Sequence, residues 1–302
     1  MRTTLKRLFE AALVGAGTAT LGRRVKRGQA LILAFHNVVP DGATPVGDTS
    51  LHLSLDRFRA FLDHLVGCCD VVPLPQLLDA SNILRRSRPT ISITFDDAYR
   101  GAVTLAVPEL VERGLPATIF VVPSLLDGHV FWWDALGDAD SGRVGEELRE
   151  RALDELRGED SKVRAWAESN GFQLNSVPSL WRTASKEELR EANAQPGITL
   201  GSHTWSHPNL ARLEAAEIRE ELERSLQWLR SEFHDAIPWL SYPYGSYCDV
   251  AMRVAAEVGY DAATLISGGW TRDPARSPTA VPRLNIPSGL STRGFSLRTA
   301  GL

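Results

Sequence analysis

Residues 90–97 read Thr-Ile-Ser-Ile-Thr-Phe-Asp-Asp. The first six alternate polar and apolar side chains and are rich in β-branched and aromatic types, the pattern of a strand, and the strand runs directly into two adjacent carboxylates. Downstream, Ala102–Arg113 carries a helical pattern closed by Gly114 and Pro116, and Ala117–Val122 is the next apolar run, so the segment opens a strand–helix–strand unit. The same alternation continues in both directions. Ala30–Phe35 is a buried strand upstream, followed by a helix over Leu55–Val66 with Leu55, Phe58, Leu62 and Leu65 on one face. Downstream come strands at Ile198–Gly201, Ile237–Tyr242, Asp261–Ile266 and Ala280–Ile286, with helices at Lys186–Asn193, Glu214–Phe233 and Asp249–Val258. Repeated βα units without a break in composition predict one α/β domain with a mainly parallel sheet, and the lack of long helices after the last strands favours a distorted (β/α) barrel over an open sheet. The domain is expected over 29–290. A helical insertion at about 124–182 contains Phe131, Trp132, Trp133 and a charged helical run Glu146–Asn170, and 291–302 form a tail.

Composition excludes several classes. Among 302 residues, 33 Lys and Arg face 37 Asp and Glu for a net charge of −4, which argues against a nucleic-acid partner. Cys68, Cys69 and Cys248 have neither the number nor the spacing of a disulfide framework or a structural zinc site. In the N-terminal segment 1–28, Arg2, Lys6 and Arg7 precede a weakly apolar run, Ala11–Leu21, and Arg23, Arg24, Lys26 and Arg27 follow it. Glu10 abuts that run and Gly15, Gly17, Thr18 and Thr20 dilute it, so it reads as a helix lying peripherally on a membrane surface, or simply as an ordered N-terminal helix, rather than as an export signal. The expected location is the cytoplasm, with a peripheral position at the inner membrane surface as one version of it and export as the lesser alternative. Oligomeric state is not legible.

In such folds chemistry collects at the C-terminal ends of strands. Four strands there deliver polar groups: His36 after the first, Asp96 and Asp97 after the second, His203 and His207 after Ile198–Gly201, and Pro243-Tyr244-Gly245 after Ile237–Tyr242. Two adjacent carboxylates behind a hydrophobic strand repel unless a cation lies between them, although one of them could instead cap the next helix. His203 and His207, four apart, would share one face of a helical turn and reach one ion. With one carboxylate they make a two-histidine, one-carboxylate set that leaves positions open for water and substrate, as a catalytic zinc site does. The neighbouring carboxylate, on the other side of an extended backbone, could then serve as a general base.

These motifs in this order, T-F-D-D at 94–97, S-H-T-W-S-H-P at 202–208 and Y-P-Y-G at 242–245, resemble the NodB-type polysaccharide deacetylases, carbohydrate esterase family 4, over roughly residues 30–287. The resemblance implies a metal-dependent hydrolase removing acetyl groups from N-acetylated sugars. It makes Asp96 the base and Asp97, His203 and His207 the ligands of zinc, with cobalt or nickel as alternatives, and it sets the Tyr244 N–H against the oxyanion. Two departures stand out. Leu240, Ser241 and Tyr242 replace the usual Arg before Pro-Tyr, and no histidine follows His234 where the family has a late Leu-x-His. A-F-H-N-V at 34–38 resembles the start of the circularly permuted subgroup, which makes His36 the general acid, with a strand-end histidine bonded to backbone as the plain alternative. Pro282-Arg283-Leu284 resembles that subgroup's late strand, so Arg283 is expected to pair with Asp96 in place of the missing Arg, or else to make a surface ion pair. Trp132, Trp133, Trp205 and Trp270 are candidates to bind sugar, with core packing as their alternative. The implied partner is an acetylated glycan or polysaccharide, lipid-linked or nascent in that subgroup. An O-acetyl ester substrate, or a glycan-binding protein that keeps the site without turnover, are the competing readings.

Overall fold

The structure is a computed structural model that describes residues 2–138 and 141–302. Its strands are β1 (Ala30–Phe35), β2 (Asn37–Val39), β3 (His52–Ser54), β4 (Asp70–Val71), β5 (Thr90–Phe95), β6 (Ala117–Val121), β7 (Ile198–Ser202), β8 (Ala236–Ser241), β9 (Ala262–Gly268) and β10 (Val281–Asn285). Strands β5 to β10 follow one another around a parallel barrel, and β1 closes it between β10 and β5, giving a seven-stranded parallel α/β barrel. The closing register is continuous, from Ala30 beside Thr90 to Phe35 beside Phe95. Short β4 pairs with the start of β5, on the side that β6 occupies from Ile93 onward. Strands β2 and β3 form a separate parallel pair.

The alternation in 90–95 sorts side chains between two buried faces, not between core and solvent. Leu31, Leu33 and Phe35 of β1 and Ile91, Ile93 and Phe95 of β5 meet Phe58, Phe61, Leu62 and Leu65 of the helix Leu55–Cys68 in the main core. Each such fully buried side chain contributes about 1.5–3 kcal/mol. Two of the polar positions are satisfied by neighbouring carbonyls, Ser92 Oγ donating to that of Val72 and Thr94 Oγ1 to that of Leu33, each at 2.8 Å. A second cluster holds Ile32, Phe120 and Trp239 together with Val72, Leu74 and Leu77. The helix Ala215–Glu232 buries Ile218, Leu222, Leu226 and Leu229, and Asp249–Val258 stops at Gly259 in the left-handed conformation (φ 98°) that glycine adopts without a Cβ penalty.

Two expectations change. The charged run Glu146–Asn170 is not one helix: Glu146–Glu150 continues through a wide turn to Glu155, breaks at Arg157 and Gly158, both at positive φ, and restarts as Asp160–Ser169. Residues 291–302, expected as a tail, contain a helix, Thr292–Arg298, capped by Ser291 and anchored by Phe295 stacking on Phe61 at 4.0 Å. The N-terminal helices Arg2–Gly15 and Thr18–Val25 lie against it, with Ala19 packed on Leu297 and Ala300 and with Ser291 Oγ donating to Glu10 at 2.6 Å. Among the described residues no helix is long and apolar enough to cross a membrane.

Candidate functional site

Because all barrel strands are parallel, their C-terminal ends share one rim, and a cavity of about 420 Å³ opens there. His36, Asp96, Asp97, His203, His207 and Tyr244 all line it, so residues from four separate strand ends converge as expected.

Asp97, His203 and His207 are buried and mutually adjacent. Asp97 Oδ1 is 3.4 Å from His203 Nε2 and 3.3 Å from His207 Nε2, and the two imidazole nitrogens are 3.2 Å apart. Four tetrahedral ligands at zinc distances stand roughly 3.3 Å from one another. His203 Nδ1 lies 2.7 Å from the Ser241 carbonyl, which can only accept, so Nδ1 carries a proton and Nε2 is the atom turned toward Asp97. Asp97 Oδ1 is buried and accepts no hydrogen bond. A carboxylate oxygen without a donor, facing imidazole nitrogens, is a donor set that a divalent cation would satisfy. Burial works to raise the Asp97 carboxyl, but the two histidines outweigh it and hold it well below the usual carboxylate range. Burial also lowers His207, which favours its neutral, ligating form.

Backbone geometry differs from the expectation at two points. His203–His207 is not a helical turn: the segment after β7 is an irregular loop in which Thr204 (φ 66°) and His207 (φ 62°) adopt left-handed conformations. The loop is held by side chains instead. His207 N donates to Thr204 Oγ1 at 3.0 Å, and Glu221, from the helix behind, accepts from Trp205 N at 2.9 Å, Ser206 N at 2.8 Å and Ser206 Oγ at 2.7 Å. Asp97 is not on an extended strand either. At φ 70°, followed by Ala98 at 49°, it turns sharply, and this turn separates it from Asp96.

Asp96 faces Arg283. Arg283 Nη1 donates to Asp96 Oδ1 at 2.8 Å and Nη2 to Oδ2 at 2.7 Å, a bidentate pair in which Arg283 is 0% and Asp96 2% exposed. The other donors of the guanidinium reach the Leu265 carbonyl, Thr94 Oγ1 and Ser241 Oγ, so all five of its N–H groups are used. Burial would raise Asp96, but Arg283, followed by His203, holds it below the usual carboxylate range. It is therefore an ionised acceptor at neutral pH. The surface ion pair considered for Arg283 does not occur.

His36, at the end of β1 beside the strand that carries Asp96, is half-buried in the cavity wall, and burial lowers its pKa despite the nearby charges of Asp97 and Asp96. Tyr244 sits at φ 58°, ψ 4°, a left-handed conformation that sets the direction of its backbone N–H. Its ring meets His207 edge-on at 4.5 Å, while its hydroxyl donates to the Gly158 carbonyl at 2.8 Å and accepts from Trp132 Nε1 at 3.0 Å. Tyr244 thus ties the insertion to the centre.

The tryptophans separate. Trp133 lines the cavity, its ring 5.1 Å from His207, stacked on Phe131 and donating to Tyr99 Oη at 2.8 Å. Trp132 is fully buried and cannot offer a face to sugar. Trp205 lies off the cavity beneath the Arg224 guanidinium, and Trp270 lies off it beside Lys26. Sequence reasoning missed Glu221 and Ser241, which orient the ligand histidines; Asp134, next to Trp133, binds Tyr99 Oη at 2.6 Å and His52 Nε2 at 3.0 Å. Glu221 sits among the polar positions of an amphipathic helix, where spacing marks it only as solvent-facing.

Comparison with known proteins follows the same lines. The family model described as polysaccharide deacetylase matches residues 84–263. A curated relative, "Putative polysaccharide deacetylase YxkH" of Bacillus subtilis (strain 168), is 23% identical over 267 residues, 87% of this chain and 74% of its own. Two solved structures share the fold. One is the Streptococcus pyogenes deacetylase PplD in complex with acetate, with TM-score 0.61 and 17% identity, covering 90% of this chain and 98% of that one. The other is a de-N-acetylase from Aggregatibacter actinomycetemcomitans, with TM-score 0.62 and 17% identity, covering 89% and 99%.

Proposed function

The chain belongs to the polysaccharide deacetylase family, and we propose that it is a metal-dependent hydrolase removing N-acetyl groups from a glycan or polysaccharide. The observation that carries this reading is the buried Asp97–His203–His207 set beside a second carboxylate, Asp96, clamped in its ionised form by Arg283.

Asp97, His203 and His207 would hold the ion, for which zinc fits the donor set best. When bound, it would supply Lewis acidity to the acetyl carbonyl and to the attacking water. Asp96 takes the proton from that water, and the bidentate contact with Arg283 keeps the carboxylate ionised and fixes its orientation. The N–H of Tyr244, aimed by its left-handed backbone, donates to the oxygen on which negative charge develops. His36 gives a proton to the departing sugar nitrogen, and its lowered pKa makes it a readier donor once protonated. Trp133 offers an apolar edge for the acetyl methyl or the sugar ring. The presence of His36 in the cavity lining, at the end of β1, supports its taking the place of a late histidine, as in the circularly permuted subgroup. Exposed Phe9, Leu21 and Val25, close in sequence to exposed Arg24 and Arg27, support a peripheral contact of the N-terminal segment with a membrane surface, where a lipid-linked or nascent glycan would be met.

Asp96→Asn tests the assignment. The variant should bind zinc like the wild type and release acetate from an N-acetylglucosamine pentamer at least about a hundredfold more slowly. Full activity in Asp96→Asn would remove Asp96 from the mechanism. His36→Ala should lose more activity on amides than on O-acetyl esters, because an alkoxide leaves with less help from an acid than an amine does.

A further inference from the structure

Two arginines of the insertion, Arg143 and Arg149, line the cavity together with the centre described above. Other insertion arginines are consumed by carboxylates: Arg151 by Glu155, Arg157 by Glu159 and Glu217, Arg164 by Asp160. Arg143 and Arg149 have no such partner among the described residues, and both are exposed toward the opening. Of the three carboxylates of the lining, one is paired with a cation, one belongs to the ligand set, and one keeps its charge against the two arginines. Asp96 is neutralised by Arg283, Asp97 belongs to the ligand set, and Asp48 accepts from Ser50 N at 3.1 Å and Ser50 Oγ at 2.6 Å. A chain with a net charge of −4 therefore presents a cationic mouth to its substrate.

A neutral N-acetylated sugar offers two guanidinium groups only hydroxyl and carbonyl acceptors, whereas their charge and planar forks match carboxylate and phosphate oxygens. We propose that Arg143 and Arg149 select an anionic glycan, one that carries a carboxylate or phosphate group near the acetylated residue. This rests on the deacetylase reading and narrows its substrate class. The anion could come from a uronic acid within the glycan or from a diphosphate linking the sugar to a carrier.

Acetate release by the full chain with added zinc would be followed on three probes: a neutral N-acetylglucosamine pentamer, a hyaluronan tetrasaccharide for the uronate, and UDP-N-acetylglucosamine for the diphosphate. At low salt, kcat/KM should be higher for one of the charged probes than for the neutral one, through KM, and the identity of that probe names the source of the charge. The advantage should shrink as salt rises to about 0.5 M, where screening is short-ranged. In Arg143→Gln/Arg149→Gln the charged-to-neutral ratio of kcat/KM should fall about five- to tenfold, as expected for two exposed charge contacts. Because the readout is a ratio, partial loss of folded protein does not mimic it. Preference for the neutral pentamer, or a charged preference unchanged in the double variant, overturns the inference and leaves the deacetylase reading standing. If none of the probes loses acetate, both are overturned.

Discussion

Replacing Arg283 with Met removes five donors from beneath Asp96 at once. The pair is buried on both sides, at 0% and 2% exposure, and its contacts at 2.7 and 2.8 Å leave no room for water to take the guanidinium's place. Breaking a buried ion pair by deleting one member costs about 3–5 kcal/mol, because the remaining charge is stranded in a poorly polarisable surrounding. For a domain of this size roughly 2–4 °C of Tm follows each kcal/mol, so Arg283→Met should melt about 6–20 °C lower than the wild type. A second substitution identifies the cause. Asp96→Asn in the Arg283→Met background removes the stranded charge, so the double variant should be more stable than Arg283→Met alone, with a coupling of about 2 kcal/mol or more. Urea unfolding followed by circular dichroism, with chelator present so that ion binding does not contribute, measures all four corners of the cycle. If Arg283→Met melts within about 2 °C of the wild type, or if the two substitutions simply add, Arg283 is not holding Asp96 in the way described.

Other outcomes follow from neighbouring contacts. Glu221→Ala leaves the Trp205 and Ser206 N–H groups without their acceptor and frees the loop between the ligand histidines, so zinc affinity measured by competition with a chelator should fall about 10–100-fold. Unchanged affinity would reduce Glu221 to a packing role. Gly158→Ala would force a side chain onto a positive φ with its Cβ 2.6 Å from the Tyr244 ring, so it should destabilise by about 1–2 kcal/mol and lower turnover by shifting the ring that abuts His207. Asp160 accepts from Trp132 N, His129 and Arg164; burial would raise its pKa, but His129 and then Arg164 hold it below the usual value. A depressed carboxyl contributes stability that is complete above the unfolded value of about 3.9 and is lost as pH falls through the lower folded value. Asp160→Asn should therefore unfold with less pH dependence than the wild type between about pH 4 and 2, as read by acid titration of tryptophan fluorescence.

Sequence patterns carried the fold because the barrel strands are short, largely apolar runs, and the polar residues at the ends of four of them brought His36, Asp96, Asp97, His203, His207 and Tyr244 to one rim. What they could not carry was backbone direction. A helical spacing of four between His203 and His207 places both imidazoles on one ion, yet the chain achieves this in a loop with two left-handed residues. An adjacent Asp pair suggests opposite faces of a strand, yet a left-handed turn at Asp97 makes the separation. Arg283 was found through its resemblance to a late strand, while its position inside the barrel depends on β10 closing against β1. The tryptophans show the limit most plainly. Each was a candidate in sequence, and only Trp133 faces the cavity, while Trp132 is fully buried with its indole N–H on Tyr244.

Acetate release as a function of added zinc, starting from chelator-stripped protein and an N-acetylated oligosaccharide, tests the central assignment most directly. Activity should be absent without metal, rise to a plateau with a single bound ion per chain, and stay absent in His207→Ala at the same zinc concentration. Acetate release that persists in chelator, or that survives loss of His207, would contradict the assignment of Asp97, His203 and His207 as the centre of the reaction.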